Sequence, residues 1–179
     1  ANVGATILKY YGDDVRNRAR ALPAAGSDAR MNGCVLPVMI NSGSGNQGMT
    51  VSLPVAVFAD YLLADKEKEY RALVLSNLAA IYQKNELGKL SAYCGAVSAA
   101  TGAGAGIAYL HSADFDTIAE TMTNTLANVS GIVCDGAKAS CAAKIASSVD
   151  AAIMAYYMAA EHRGFRNGEG LVKENVEAT

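Results

Sequence analysis

An all-α fold is predicted by three observations in the sequence. Apolar residues recur at helical spacing along 66–82, 112–131 and 147–158. The run Ala92 to Leu110 sets four glycines among alanines and also reads as a helix. Strand signals are confined to Cys34-Val35-Leu36-Pro37-Val38-Met39-Ile40, whose proline argues against a central strand. At 179 residues the chain is the size of one domain, and one hydrophobic core can then bury most of the apolar surface without disulfides. A single helical domain over 1–179 is expected, with a buried Gly/Ala-rich helix and one glycine-rich loop.

Each element has its own justification. Val3 to Tyr11 reads as the end of a helix already under way. Met49 to Ala64 reads as a helix in which Pro54 is tolerated near the first turn. Beyond it, Lys66, Glu67, Lys68 and Glu69 crowd a first turn, and Tyr70, Val74, Leu78, Ile81 and Tyr82 then form an apolar stripe, the signature of an amphipathic helix. In Ala92 to Leu110, each glycine would weaken an exposed helix by about 1 kcal/mol relative to alanine. Small residues at that density suit a buried helix that lets its neighbours approach closely. Ser112 and Asp114 stand where an N-cap belongs, followed by the stripe Phe115, Ile118, Met122, Leu126 and Val129 down to Gly131. Ser147 to Met158 closes on Glu161-His162-Arg163-Gly164, with cations near the carbonyl end and a glycine stop.

Composition excludes several classes of partner. Fifteen Lys and Arg against 17 Asp and Glu make no basic field, so neither nucleic acid nor an anionic membrane surface is expected. No apolar run is long enough to span a bilayer, and no charged segment followed by an apolar one marks the start for export. A cytoplasmic location with reduced thiols is expected, where grouped cysteines are read as metal-binding or catalytic. The chain starts at Ala1 without an initiator Met and stops in Val176-Glu177-Ala178-Thr179. It is therefore read as a fragment lacking an N-terminal region and a C-terminal end.

Two constellations carry chemistry. Cys134 and Cys141 bracket Asp135-Gly136-Ala137-Lys138, and Cys94 lies in Ser91-Ala92-Tyr93-Cys94-Gly95. A thiol pair around Asp, Gly and Lys suggests a metal or cluster site, and Lys138 can offset the charge of thiolate ligands. Cys94 at the N-terminal end of a helix would have its thiolate stabilised by free N–H groups and the positive end of the dipole. The second constellation is Asn41-Ser42-Gly43-Ser44-Gly45-Asn46-Gln47-Gly48, a polar glycine-rich loop ahead of a helix. Such a nest can cradle a carboxylate or phosphate. It lacks the Lys-Ser/Thr of a P-loop and the glycine spacing of a dinucleotide fingerprint, and a flexible surface connection is its competing reading. Cys34 reads as a core residue, and His111 and His162-Arg163 read as C-terminal caps. Two non-catalytic alternatives stand beside these: a zinc-stabilised helical domain, although its thiols lack short paired spacings, and a helical interaction module whose cysteines are only core.

Taken together, Asn32-Gly33-Cys34-Val35-Leu36-Pro37, the Ser42 to Gly48 loop, Ser91 to Gly95, and Cys134 to Lys138 followed by Cys141 resemble the L-cysteine desulfidase family. That family is related to the α chain of iron-sulfur L-serine dehydratases. The match runs in consistent order from about Asp28 to Val176. The resemblance implies an all-helical catalytic domain with an oxygen-labile 4Fe-4S cluster, lost or degraded on aerobic handling, and no pyridoxal phosphate. It implies Cys94, Cys134 and Cys141 as the three cluster ligands, which leaves one iron open to substrate. The reaction implied is β-elimination from a small L-amino acid, giving sulfide, pyruvate and ammonia from L-cysteine, or pyruvate and ammonia from L-serine.

The departures from the family are equally informative. Full-length members carry a preceding region with a catalytic cysteine in a Gly-Cys-Thr-Glu-Pro-like motif, and this sequence contains no such motif. The chain alone is expected to be inactive, with its principal base in that missing part of the same protein. Asn128 stands where the serine dehydratase branch has His, and the segment between Cys134 and Cys141 is short, which favours the desulfidase branch. The chemistry assigns Asn41 to Gly48 to the substrate carboxylate and makes Lys138 an electrostatic or catalytic candidate near the cluster. Homo-oligomerisation is left open.

Overall fold

In a computed structural model describing residues 1–88, 91–134 and 136–179, the chain forms the expected all-α fold. Seven helices run through the described residues: α1 Val3–Tyr11, α2 Val15–Met31, α3 Gly45–Tyr61, α4 Lys66–Leu87, α5 Gly95–Leu110, α6 Phe115–Asn128 and α7 Cys141–Ala160. No strand occurs among them, only isolated bridges between Asn41 and Ser44 and between Tyr93 and Val133. Asp135 of the cysteine motif lies outside the described residues.

The Gly/Ala-rich helix α5 is the axis of the fold. It packs against α3, α4, α6 and α7, and every one of its residues except Gly95 and Tyr109 is buried. Its glycines have a steric reason. A methyl group at Gly106 would lie 2.8 Å from the Val55 side chain and 3.0 Å from the Ala72 carbonyl oxygen, and one at Gly102 would overlap the Ser76 carbonyl oxygen. Around this axis the core is completed by Phe58, Ile107, Ile145, Val149 and Ile153. Hydroxyls buried with them bond to backbone carbonyls: Thr101 to Val97 at 2.9 Å, Thr125 to Thr121 at 2.7 Å, and Ser76 across to Val51 at 2.7 Å. A buried hydroxyl without such a partner would cost about 1–3 kcal/mol.

Close packing on α5 overturns the expected orientation of α4. Tyr70, Val74, Leu78, Ile81 and Tyr82 face outward, each between 39% and 60% exposed, while Ala72, Ser76, Ala80 and Lys84 are buried. A helix pressed against glycines can present only small side chains, so the large ones turn away. Helix α6 behaves alike, burying Thr121, Asn124 and Thr125 while Phe115 is exposed.

Boundaries differ too. Helix α3 starts at Gly45 rather than Met49, because Ser44 caps it by accepting from the Gln47 N–H at 3.5 Å. Pro54 consequently sits in mid-helix, and the second half of the expected loop is the first turn of α3. Helix α7 starts at Cys141 and stops through His162, whose φ of 53° lets the Arg163 N–H reach the Met158 carbonyl at 2.9 Å; Gly164 is not the stop. Helix α2, capped by Asp14 through the Asn17 N–H at 2.8 Å, was not foreseen, because Pro23 and Gly26 interrupt its pattern. Cys34, expected in the core, is exposed in the extended connection to α3. That connection runs past Gly48, whose lack of a side chain admits the Met39 carbonyl.

Substitutions on the two faces of α4 and α5 should separate accordingly. In the 179-residue chain, Gly102→Val should cost about 1–3 kcal/mol by overpacking. Leu78→Ser, on the outward stripe, should stay within about 0.5 kcal/mol. Urea denaturation midpoints check both, and equal midpoints for the two variants would contradict the inward-facing glycines.

Candidate active site

The three central thiols are brought together by backbone pairing and helix starts. Residues 91–94 and 131–134 run antiparallel, with the Cys94 N–H on the Ile132 carbonyl and the Cys134 N–H on the Ala92 carbonyl, both at 2.7 Å. Cys94, opposite Ile132, is the N-cap of α5, and Cys134 pairs with Ala92 on the adjoining segment. Cys141 is the first residue of α7 and is 7% exposed; its sulfur accepts from the Lys138 N–H at 3.4 Å and its thiol donates to the Gly136 carbonyl at 3.7 Å. None of the three is in a disulfide.

All three sulfur-bearing residues line one cavity of about 210 Å³. The start of α3 also lines it, through Ser44, Asn46 and Gln47. The rest of the glycine-rich loop holds that wall in place. Asn41 and Ser44 exchange two backbone bonds of 3.2 and 3.0 Å around Ser42 (φ 49°) and Gly43 (φ 81°), a primed hairpin-type turn that a glycine makes easily. The Asn41 amide is anchored on Asn77 at 2.9 Å, and the Asn46 side-chain oxygen accepts from Arg30 at 3.0 Å. Asn41, Ser42, Gly43, Gly45 and Gly48 do not line the cavity. Gly45 is helical, so its conformational freedom is not what shapes the turn.

Electrostatically the cavity favours anions. The starts of α3, α5 and α7 all border it, and each contributes the positive end of a helix dipole. No Asp or Glu lines it among the described residues. Burial pushes the Cys94 thiol above its ordinary range, opposed by the Ala96 N–H, and the neighbouring Cys134 and Cys141 push it further up. Lys138 is exposed and meets the site through its backbone N–H rather than lining the cavity.

One charged residue of the cavity wall escaped the sequence reading. Lys84 lines it and is only 7% exposed, with no hydrogen bond or ion pair to another described residue. The signal was present in the register Ala72, Ser76, Ala80, Lys84, a small-residue stripe at i+4 spacing that marks the buried face once the large stripe is recognised as the outer one. Gln47 contributes a second unpartnered group, its buried side-chain oxygen, and its amide fills the space where a side chain at Gly95 would go.

A hollow of about 460 Å³ shares Tyr93 and Cys94 with the thiol cavity, and one other carries different chemistry. A depression of about 590 Å³ is lined by Asp65, Glu67, Lys68 and Arg71 and contains no thiol. His111 lies away from the thiols, capping α5 as expected, with its ring nitrogen 2.9 Å from the Ile107 carbonyl and its ring against Phe58 and Tyr156. Among the described residues no group of three or more His, Cys, Asp or Glu is placed so that it could hold a metal ion. No helix among the described residues is long and apolar enough to cross a membrane.

Comparison with known proteins gives a consistent result. The profile of the family described as serine dehydratase alpha chain matches residues 1–179. A UPF0597 protein of Lachnoclostridium phytofermentans is 66% identical over 178 residues, covering 99% of this chain and 43% of its own length. One from Desulfitobacterium hafniense is 59% identical over 179 residues, covering 100% and 42%, and one from Finegoldia magna is 51% identical over 173, covering 97% and 42%. The chain thus spans less than half the length of the curated relatives it matches. No solved structure matches it.

Thiol exposure orders the reactivity expected of the reduced, metal-free chain. Iodoacetamide should modify exposed Cys34 and Cys134 first, then half-buried Cys94, and Cys141 last. Because the Cys94 pKa is raised, its alkylation should keep accelerating with pH beyond the range of an ordinary thiol. Peptide mass spectrometry reads each site, and Cys141 reacting as fast as Cys134 would contradict the geometry.

Proposed function

The chain belongs to the serine dehydratase alpha chain family, and from that premise we propose that its thiol-lined cavity is the elimination centre of an iron-sulfur lyase for small L-amino acids. L-Cysteine is the proposed preferred substrate, and L-serine the alternative on the same site. The observation that supports this most is one cavity bordered by Cys94, Cys134, Cys141 and the polar start of α3. The donor set suits a 4Fe-4S cluster: three soft thiols free of disulfides, in surroundings without carboxylates among the described residues and with helix N-termini to offset negative charge.

In this reading Cys94, Cys134 and Cys141 hold the cluster, whose open iron, when bound, acts as a Lewis acid toward the β-substituent. The Lys138 N–H is directed at the Cys141 sulfur, and the Ala96 N–H opposes the rise that burial imposes on the Cys94 thiol. The proposed role of Lys138 runs through this backbone contact. Ser44, Asn46 and Gln47 orient the polar end of the substrate, and Ile145 supplies an apolar wall that limits water. Elimination breaks the Cα–H and Cβ–S bonds; the proton goes to a base, sulfide departs, and the aminoacrylate released takes up water to give pyruvate and ammonium. No residue of the described cavity is assigned as that base. We place it in the part of the full-length protein that this chain does not span, which makes that part an obligatory partner and the chain inactive alone. The short Cys134–Cys141 segment and Asn128 support cysteine over serine.

The test uses the full-length protein purified without oxygen. It should carry about four irons and four sulfides per chain, release sulfide from L-cysteine, and form pyruvate from L-serine with lower kcat/KM. Cys94→Ala, Cys134→Ala and Cys141→Ala should each abolish the cluster absorption and turnover. Neither product formed, or full iron content with all three replaced, would sink the proposal.

A further inference from the structure

Lysine is almost never fully buried without a partner, because an ammonium taken out of water costs several kcal/mol. Lys84 is buried, lines the thiol cavity, and pairs with no described residue. Gln47 lines the same cavity, and its side-chain oxygen is buried without a donor. The buried Cys141 thiol by contrast has local partners, the Lys138 N–H and the Gly136 carbonyl. One cation lacking an anion and one acceptor lacking a donor, on one small cavity, complement a molecule bearing both a carboxylate and an ammonium.

We propose that Lys84 and Gln47 form a clamp for the zwitterionic end of an α-amino acid: the Lys84 ammonium takes the carboxylate, and the Gln47 oxygen takes the α-ammonium. This rests on the lyase reading for its substrate class. Ser44 and Asn46, on the same wall as Gln47, then complete the polar shell. The clamp explains why a charge is placed on the buried Ala72–Ser76–Ala80 face at the point where α4 passes the thiols. It also explains the bare Gly95, which leaves room for the Gln47 amide. Lys84 thus acts as a substrate-positioning group, and the choice of leaving group is left to the sulfur side of the cavity.

Binding of unreactive probes tests the clamp without reliance on turnover. Calorimetry on the anaerobic full-length protein should show L-alanine binding about tenfold or more tighter than L-alaninamide, which lacks the carboxylate, and than propionate, which lacks the ammonium. Lys84→Met should erase the preference over L-alaninamide, and Gln47→Leu the preference over propionate, both with iron content unchanged. Lys84→Arg should retain part of the carboxylate preference, which guards against a fold defect in the Met variant. Lys84→Met should also hold or raise the melting temperature, since an unpaired buried charge is removed. In turnover it should raise KM more than it lowers kcat.

No preference in the wild type, a preference that survives Lys84→Met, or loss of iron from that variant would each overturn the clamp. Turnover of L-cysteine or L-serine with KM unchanged in Lys84→Met would overturn it while leaving the lyase reading intact. Probe discrimination through Lys84 in a wild type that forms neither sulfide nor pyruvate would overturn the lyase reading and leave the clamp.

Discussion

The arrangement of the chain depends on the close approach of α4, through its backbone, and of α3, through Val55, to α5. Glycine at 102 and 106 removes the side chains that would hold the helices apart, so carbonyl groups of α4 come within contact of the α5 backbone. Interiors packed at crystal-like density tolerate little change of volume, and a helix built from the smallest residues leaves its neighbours few alternative positions. That rigidity fixes where α5 begins. Since Cys94 caps that beginning and the start of α3 lines the same cavity, the cavity geometry is a consequence of packing some distance from it.

Helix polarity completes the site. Starts of α3, α5 and α7 meet at one point, an arrangement that would be repulsive between the dipoles alone and becomes favourable when negative charge lies between them. Buried Lys84 adds to the same field. A chain that directs four positive contributions at one small volume is preorganised for anions. The raised Cys94 pKa belongs to the same balance: burial disfavours its thiolate until an electrophile claims the sulfur.

Legibility of the sequence followed the strength of local chemistry. The buried nature of α5 could be read because glycine density has one sensible setting, and the α6 start because Asp114 is a strong cap, confirmed by its bond from the Thr117 N–H at 2.9 Å. The convergence of the two thiol segments with the α3 start was suggested by composition and by family resemblance, while the pairing of 91–94 with 131–134 is a tertiary event invisible in either segment. The face of α4 was misread because hydrophobic periodicity normally marks the core, and here the partner's lack of side chains inverted the rule. Lys84 was lost with it, since an isolated lysine reads as solvated. Helix α2 was overlooked because Pro23 and Gly26 are ordinarily breakers, and tertiary packing overrode that weak prior.

The inverted α4 has a practical side. Its outer ridge of two tyrosines, valine, leucine and isoleucine is solvated poorly, and Leu63 and Phe115 extend the wettability defect at 89% and 77% exposure. In bulk solution such a ridge behaves like a weak surfactant face. Salts excluded from protein surfaces sharpen the tendency, so the 179-residue chain should salt out early and be retained on alkyl matrices. Handling it at low protein concentration and without sulfate follows directly from which way one helix faces.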